Sequence, residues 1–307
     1  MAVRRITQRE LARQMSDWEA KQLVAGEALH HGGDLWRALK KYKKILDRNR
    51  RCWPAVFNAA VLAHTVCEHA WAIQQLERCV KALPGFCEAW YNLGTMQQCL
   101  GRYAEAAVAL QNAVDLDPGM VGAGINLGNA LLGLGRREEA FAAYAAALTH
   151  APDSAEAMYN MAHYYLLTGQ WVQGWRYYEA RWSLPGFQEL NQIAIDASRF
   201  DAPRPWPEGV PIAGRSLVVV EEQGYGDLFM CLRYAPTLRD LGATVTWAVR
   251  PECHRLVEAT VRPDRVVSIR DQVPGADFIV SCMTLHQRLG VTVETVPQGA
   301  GYLLRAA

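Results

Sequence analysis

The 307-residue chain has no apolar run approaching the roughly 18 residues that a membrane-crossing helix requires, so no span is expected. Its first residues, MAVRRITQRELARQ, lack the hydrophobic stretch of an export signal. The eight cysteines, at 52, 67, 79, 87, 99, 231, 253 and 282, include no C-x-x-C pair. His64, Cys67 and His69 cluster loosely, but without a second cysteine pair they supply no metal-site framework, and no metal is expected. Free thiols and no export signal point to a reducing, cytoplasmic setting. Charge of one sign is missing too: a net charge of +1 gives no electrostatic reason for nucleic acid or an anionic membrane as partner. The basic run Lys40, Lys41, Lys43, Lys44, Arg48, Arg50 and Arg51 is local and reads as the solvated face of one helix.

What the chain does have is a period. Asn58, Asn92, Asn126 and Asn160 are spaced by 34 residues, and the same step runs through Ala38, Ala72, Ala106, Ala140 and Gly174. It recurs in Gly101, Gly135 and Gly169 and in Pro84, Pro118 and Pro152. Self-similarity at this spacing marks an array of helix–turn–helix units, none of which can bury its apolar face alone. In the third unit Ala89, Leu93, Met96 and Leu100 recur at helical spacing, Gly101 breaks the chain, and Ala106, Ala107, Leu110, Ala113 and Val114 resume. The glycine column is expected at positive φ, closing each first helix, and the prolines stop each second one. Ala60, Gly94, Gly128 and Ala162 fall where the two helices of a hairpin cross, as does the column from Ala38 to Gly174. The second unit has Cys67 in the glycine column and is expected to be looser; the first has Val24 in the asparagine column and no closing proline. The five repeat cysteines read as small buried apolar residues, and the recurring tyrosines (91, 144, 159, 164, 165, 177 and 178) as packing between helices.

After Trp182 the period stops. Residues 187–213 carry Pro203, Pro205, Pro207 and Pro211 with Trp206, an extended connector. From Arg215 short β-branched runs alternate with helical patterns: LVVV (217–220), a helix over about Leu228–Leu241, TVTWAV (244–249), a helix, RVVSI (265–269) and DFIV (277–280). That alternation predicts a small parallel Rossmann-type sheet, with the first strand buried on both faces. His254 and His286 fall in its helices and read as surface or core residues.

The candidate chemistry is the loop Glu221-Glu222-Gln223-Gly224-Tyr225-Gly226-Asp227, between the first strand and the first helix of that sheet. In open α/β sheets ligands sit at the carboxyl ends of strands, and Gly224 and Gly226 would admit close backbone approach. Phe229 stands where a dinucleotide fingerprint needs glycine, and no G-K-[ST] follows for a P-loop. Asp227 reads either as the cap of the helix or as a catalytic carboxylate.

Ala89–Pro118, AWYNLGTMQQCLGRYAEAAVALQNAVDLDP, resembles the tetratricopeptide pattern W-x2-L-G-x2-Y…A…P. The resemblance covers about Asp17–Gly186 as five units and implies a right-handed superhelix whose concave groove holds a protein or peptide. Asn58, Asn92, Asn126 and Asn160 would line that groove. EEQGYGDLFMCLRYAPTL resembles the E-Q-G-x-G-D…R-Y-x-P-x-L signature of bacterial tetratricopeptide proteins fused to a glycosyltransferase-like domain, a group similar to heptosyltransferases and O-linked N-acetylglucosamine transferases. GWRYYEARW, Gly174–Trp182, matches the group's junction of repeats and sheet. The resemblance implies a GT-B fold in complete relatives, with Asp227 as base on the acceptor hydroxyl and Gln223, Gly224, Tyr225, Gly226 and Arg233 around the substrate. The expected chain is therefore mainly α. Residues 1–16 form an N-terminal segment, 17–186 the repeat superhelix, 187–213 the connector, and 214–307 a partial Rossmann-like half of a GT-B domain. No resident cofactor is expected, since a nucleotide-sugar donor belongs to the half that this sequence lacks, in a longer chain or a separate partner. By itself the chain is expected not to transfer sugar. The alternative is a non-catalytic adaptor that assembles a protein complex.

Overall fold

The computed structural model describes residues 4–187, 204–262, 264–269, 271 and 276–297, and the chain divides into two compact units, 1–160 and 161–307. The first unit opens with a short helix α1 (Gln8–Ala12), started by Thr7 and Glu10, each of which holds the other's backbone N–H. Four helical hairpins follow: α2 (Asp17–His31) with α3 (Leu35–Arg48), α4 (Trp53–Thr65) with α5 (His69–Ala82), α6 (Cys87–Cys99) with α7 (Tyr103–Leu116), and α8 (Val121–Gly133) with α9 (Arg137–His150). A fifth pair, α10 (Ala155–Leu167) and α11 (Trp171–Tyr178), runs into a 3-10 turn, Glu179–Ser183. From α2 to α9 each helix packs on the next, and α6 also touches α4 and α8, so the first helices of successive hairpins share one face.

The hairpins close because a small residue lies under a large one. A Cβ on Gly94 would stand 2.5 Å from Leu110, and one on Gly128 2.3 Å from the Tyr144 ring. Gly26, two periods before Gly94, meets Tyr42 in the same way at 2.4 Å. Tyr42, Leu110 and Tyr144 are fully buried, as are Ala38, Ala72, Ala106 and Ala140 of the second helices. Tyrosine here is a packing residue, and Tyr144 also donates to Asn129 Oδ1 at 2.5 Å.

The turns follow the glycine column, with φ of 72°, 74° and 79° at Gly101, Gly135 and Gly169. Cys67 keeps the same turn at φ 65°, a conformation that a β-carbon disfavours. Its turn therefore has the same geometry as its neighbours but carries strain they lack. Cys67 and Cys99 are exposed, whereas Cys52, Cys79 and Cys87 are buried. The reading of all five repeat cysteines as buried thus fails where the residue sits in a turn or on the last turn of a helix. Burial pushes the Cys79 thiol up to about 12, so that sulfur behaves as an apolar group.

In the second unit, five parallel strands take the order β1-β5-β2-β3-β4: β1 (Arg204–Pro205), β2 (Ser216–Val220), β3 (Thr244–Val249), β4 (Arg265–Ser268) and β5 (Phe278–Ser281). Leu217, Val218, Val219 and Val220 are all buried, as a strand covered on both faces must be. The two-residue β1 belongs to the connector, whose Trp206 N–H donates to Ile279 O at 2.9 Å and whose side chain is buried. The connector residues 188–203 lie outside the described residues. The helix expected over Leu228–Leu241 is divided into α12 (Tyr225–Cys231), a 3-10 turn (Leu232–Tyr234) and α13 (Ala235–Asp240). Pro236 causes the break, since it offers no N–H to the preceding turn and sits where a new helix can start. A 3-10 turn (Pro251–Cys253) and two further helices, α14 (His254–Val261) and α15 (Leu285–Arg288), complete the described elements.

Replacing Cys67 with glycine removes the β-carbon strain and partly offsets it with unfolded-chain entropy. The expected gain is up to about 1 kcal/mol, read as a raised thermal midpoint by circular dichroism. A lowered midpoint would show that the cysteine side chain contributes more than its backbone costs.

Candidate functional site

The loop 221–227 leaves β2 where its two neighbours diverge: β3 lies on one side and β5 on the other. Backbone bonds fix both flanks, with Glu221 N–H donating to Ala248 O at 3.1 Å and Cys282 N–H to Val220 O at 2.8 Å. The loop's own side chains are largely engaged inside the protein. Glu222 is fully buried and receives a two-pronged bond from Arg181, Nε to Oε1 at 2.6 Å and Nη2 to Oε2 at 2.8 Å. Ser281 Oγ at the end of β5 also donates to Glu222 Oε2. Arg181, itself fully buried, adds Glu179 at 2.7 Å, Thr284 Oγ1 at 2.9 Å and the Tyr178 carbonyl at 3.1 Å. Burial alone would lower the Arg181 pKa, but the hydrogen bonds and charge of Glu222, with those of Glu179, outweigh it and raise it.

Gln223 has a positive φ of 65°, donates to Tyr178 Oη at 2.6 Å and reaches Glu222 Oε1 at 3.1 Å. The segment Trp175–Arg181 and the loop are thus one polar cluster, sealed on its apolar side by Trp175 stacked on His286 with ring centroids 4.0 Å apart. His286 is buried, and its Nδ1 pairs with Met283 O at 3.0 Å. Its pKa is lowered to about 4, chiefly by burial and then by the positive charges of Arg233 and Arg181, against the Met283 bond and Glu222.

On the outer side of the loop Arg250, which follows β3, pairs with Glu221, donates to Gln223 O at 3.0 Å and lies 4.4 Å over the Tyr225 ring. Gly224 is the N-cap residue of α12, and its N–H donates to Asp227 Oδ2 at 3.0 Å. Asp227 therefore stands inside the first turn and reaches back to the cap, rather than occupying the cap position itself. Open space surrounds Gly226, and Tyr225 is half exposed. Arg233 lies in the following 3-10 turn. Sequence reasoning missed Arg181, Thr284 and Arg250. Only Arg181 carried a signal, as the one basic residue late in the junction motif GWRYYEARW.

The asparagine column lies on the first helices and is half-buried throughout. Asn92 and Asn160 donate to carbonyls one turn back in their own helices, Glu88 O at 2.7 Å and Glu156 O at 2.9 Å. Asn58 and Asn126 reach the preceding first helix, Glu27 Oε1 and Thr95 Oγ1, both at 3.1 Å. Each amide thus has its N–H₂ end held by the protein.

Two models of the tetratricopeptide repeat match the chain, over residues 100–140 and 125–180. No curated protein sequence matches it. Among solved structures, a MamA protein is 20% identical with a TM-score of 0.51, covering 59% of this chain and 99% of that one. MamA from residue 41 to its end, of Desulfovibrio magneticus RS-1, is 16% identical with a TM-score of 0.51, covering 56% and 99%. YrrB, titled a TPR protein with an unusual peptide-binding site, is 23% identical with a TM-score of 0.48, covering 55% and 87%. The chain thus carries tetratricopeptide repeats on a helical-repeat fold, followed by a small parallel sheet.

Two predictions follow from the cluster. Arg181→Met strands Glu222 as a buried charge and should cost about 3–5 kcal/mol in urea unfolding, whereas Arg181→Met with Glu222→Leu should recover most of it. Equal losses in both would mean the pair is not coupled. His286 has the opposite kind of signature, visible against pH. An imidazole in the unfolded chain takes up its proton near 6.5, but the folded one resists until about 4. Its contribution is complete above pH 6.5 and is lost as pH falls towards 4, amounting to at most about 3 kcal/mol. His286→Phe should flatten stability against pH in that window, and an unaltered acid limb would assign the loss to other groups.

Proposed function

We propose that the chain is a polypeptide-binding scaffold, using the shared face of its first helices to hold an extended segment of a partner. The asparagine column carries this reading. Each amide's N–H₂ end is fixed by a neighbour, so the carbonyl end has a set direction, and a row of oriented acceptors suits the N–H groups of a backbone without reading its side chains. The sheet unit then acts as a companion module, in an adaptor that brings partners together. Asn92→Ala with Asn126→Ala should weaken binding of a panel of extended peptides by about tenfold, while circular dichroism stays unchanged. Full affinity accompanied by a lower melting point would assign the column to packing.

A second reading, the acceptor-side half of a sugar transferase, draws support from the sheet. The four longer strands run in the order of the first half of a Rossmann-type sheet, with the loop 221–227 at the point where that order reverses. Against it, Glu222 and Gln223 are committed to Arg181 and Tyr178, and Asp227 to Gly224. Within the loop this reading relies on the second oxygen of Asp227, on Tyr225 and on the glycines, and a donor would have to come with a second domain. Supplying a donor-binding second domain separates the two: sugar transfer that is lost in Asp227→Asn supports the transferase half, and no transfer supports the adaptor.

A further inference from the structure

The second helices of the first two hairpins present a surface unlike the rest of the array. Between Leu35 and Arg51 eight lysines and arginines face a single acidic residue, Asp47, in a chain whose net charge is only +1. On α3, Trp36, Lys40 and Lys44 form one stripe at helical spacing, and Trp36 is 64% exposed. Neither Lys40 nor Lys44 forms an ion pair among the described residues, whereas Lys43 bonds Glu68 at 2.9 Å and lies 4.8 Å over the Trp71 ring of α5. Two adjoining hollows run along this face. One of about 460 Å³ lies against Trp36, Leu39, Lys40 and Lys44, and one of about 560 Å³ lies between Leu46, Trp71 and Arg78. Lys43 and Asp47 border both.

We propose that this α3–α5 face docks an acidic polypeptide segment with aromatic or aliphatic anchors. Its carboxylates meet Lys40 and Lys44, and its anchors enter the hollows beside Trp36 and Trp71. Charge complementarity selects an acidic occupant, and aromatic walls beside basic groups supply the apolar contact that charge alone lacks. The hollow between α3 and α5 favours a side-chain-bearing chain over a bilayer, which has no knobs to insert between helices. Asp47, bordering both hollows, disfavours a nucleic-acid strand, whose phosphates recur at every residue. The surface is formed by second helices, so it is separate from the asparagine column.

The test uses the full chain and a labelled synthetic peptide in which Asp and Glu alternate with Trp and Leu, read by fluorescence anisotropy. Lys40→Glu with Lys44→Glu should weaken binding about tenfold or more, and so should Trp36→Ala. Binding should also fall as salt rises. Glu105→Gln, exposed on α7 of the third hairpin, should leave it unchanged. If the charge reversal perturbs folding by circular dichroism, Lys40→Gln with Lys44→Gln replaces it and should show a smaller loss in the same direction. Equal affinity in the charge variants would overturn the proposal. So would tighter binding of a short DNA duplex or of phosphatidylserine vesicles than of the peptide, or a salt-sensitive dimer of the chain that excludes it.

Discussion

Close approach of two helices within a hairpin is the constraint on which the array depends. Where Gly26, Gly94 and Gly128 face Tyr42, Leu110 and Tyr144, a single added methyl group would overlap the large side chain. Glycine inside a helix is unfavourable by roughly 1 kcal/mol relative to alanine, so its recurrence there is explained by packing rather than by propensity. Once each hairpin is drawn tight, its apolar surface is delivered in register to the next. The continuous core from Leu23 through Phe86 and Met96 then follows.

The second unit rests on a different device. A guanidinium and a carboxylate, both without solvent contact, are joined by two short bonds between a segment that ends a helical hairpin and a loop that leaves a strand. Ser281, Thr284 and Glu179 complete the partners, so no arm of the pair is left bare. Such a pair adds little net stability over an apolar contact, but it punishes any arrangement in which one partner is missing. Its value lies in fixing which residue meets which.

How far the sequence could be read depends on whether the governing interaction is local. The 34-residue columns placed every hairpin, and the four expected strands came out within a residue of their expected ends because a β-branched run is its own signal, whereas β1, inside the connector, was not expected. Pro236 lies inside the helix expected over Leu228–Leu241, and the helical pattern around it masks the effect of its missing N–H, which divides the segment. The loop was harder. The family resemblance places Gln223 beside a substrate, but its partner here is Tyr178, 45 residues away. Glu222 is engaged by Arg181 at a separation of 41 residues. No periodicity records such pairings, and an acidic side chain at a strand's end reads the same whether it points to solvent or to a buried cation.

The connector's last described stretch has a bearing on self-association. A parallel sheet with a bare flank offers a row of backbone groups on which another chain can add a strand, the usual start of runaway aggregation. Here that flank is occupied by β1, two residues long among the described residues. Pro205, within it, has no N–H to donate, and Pro207 follows directly after Trp206, whose N–H is the last bonded to β5. A strand too short and too poor in donors to be copied makes an effective end-stop. Substitutions that lengthen it or replace its proline would be expected to turn this quiet border into a sticky one.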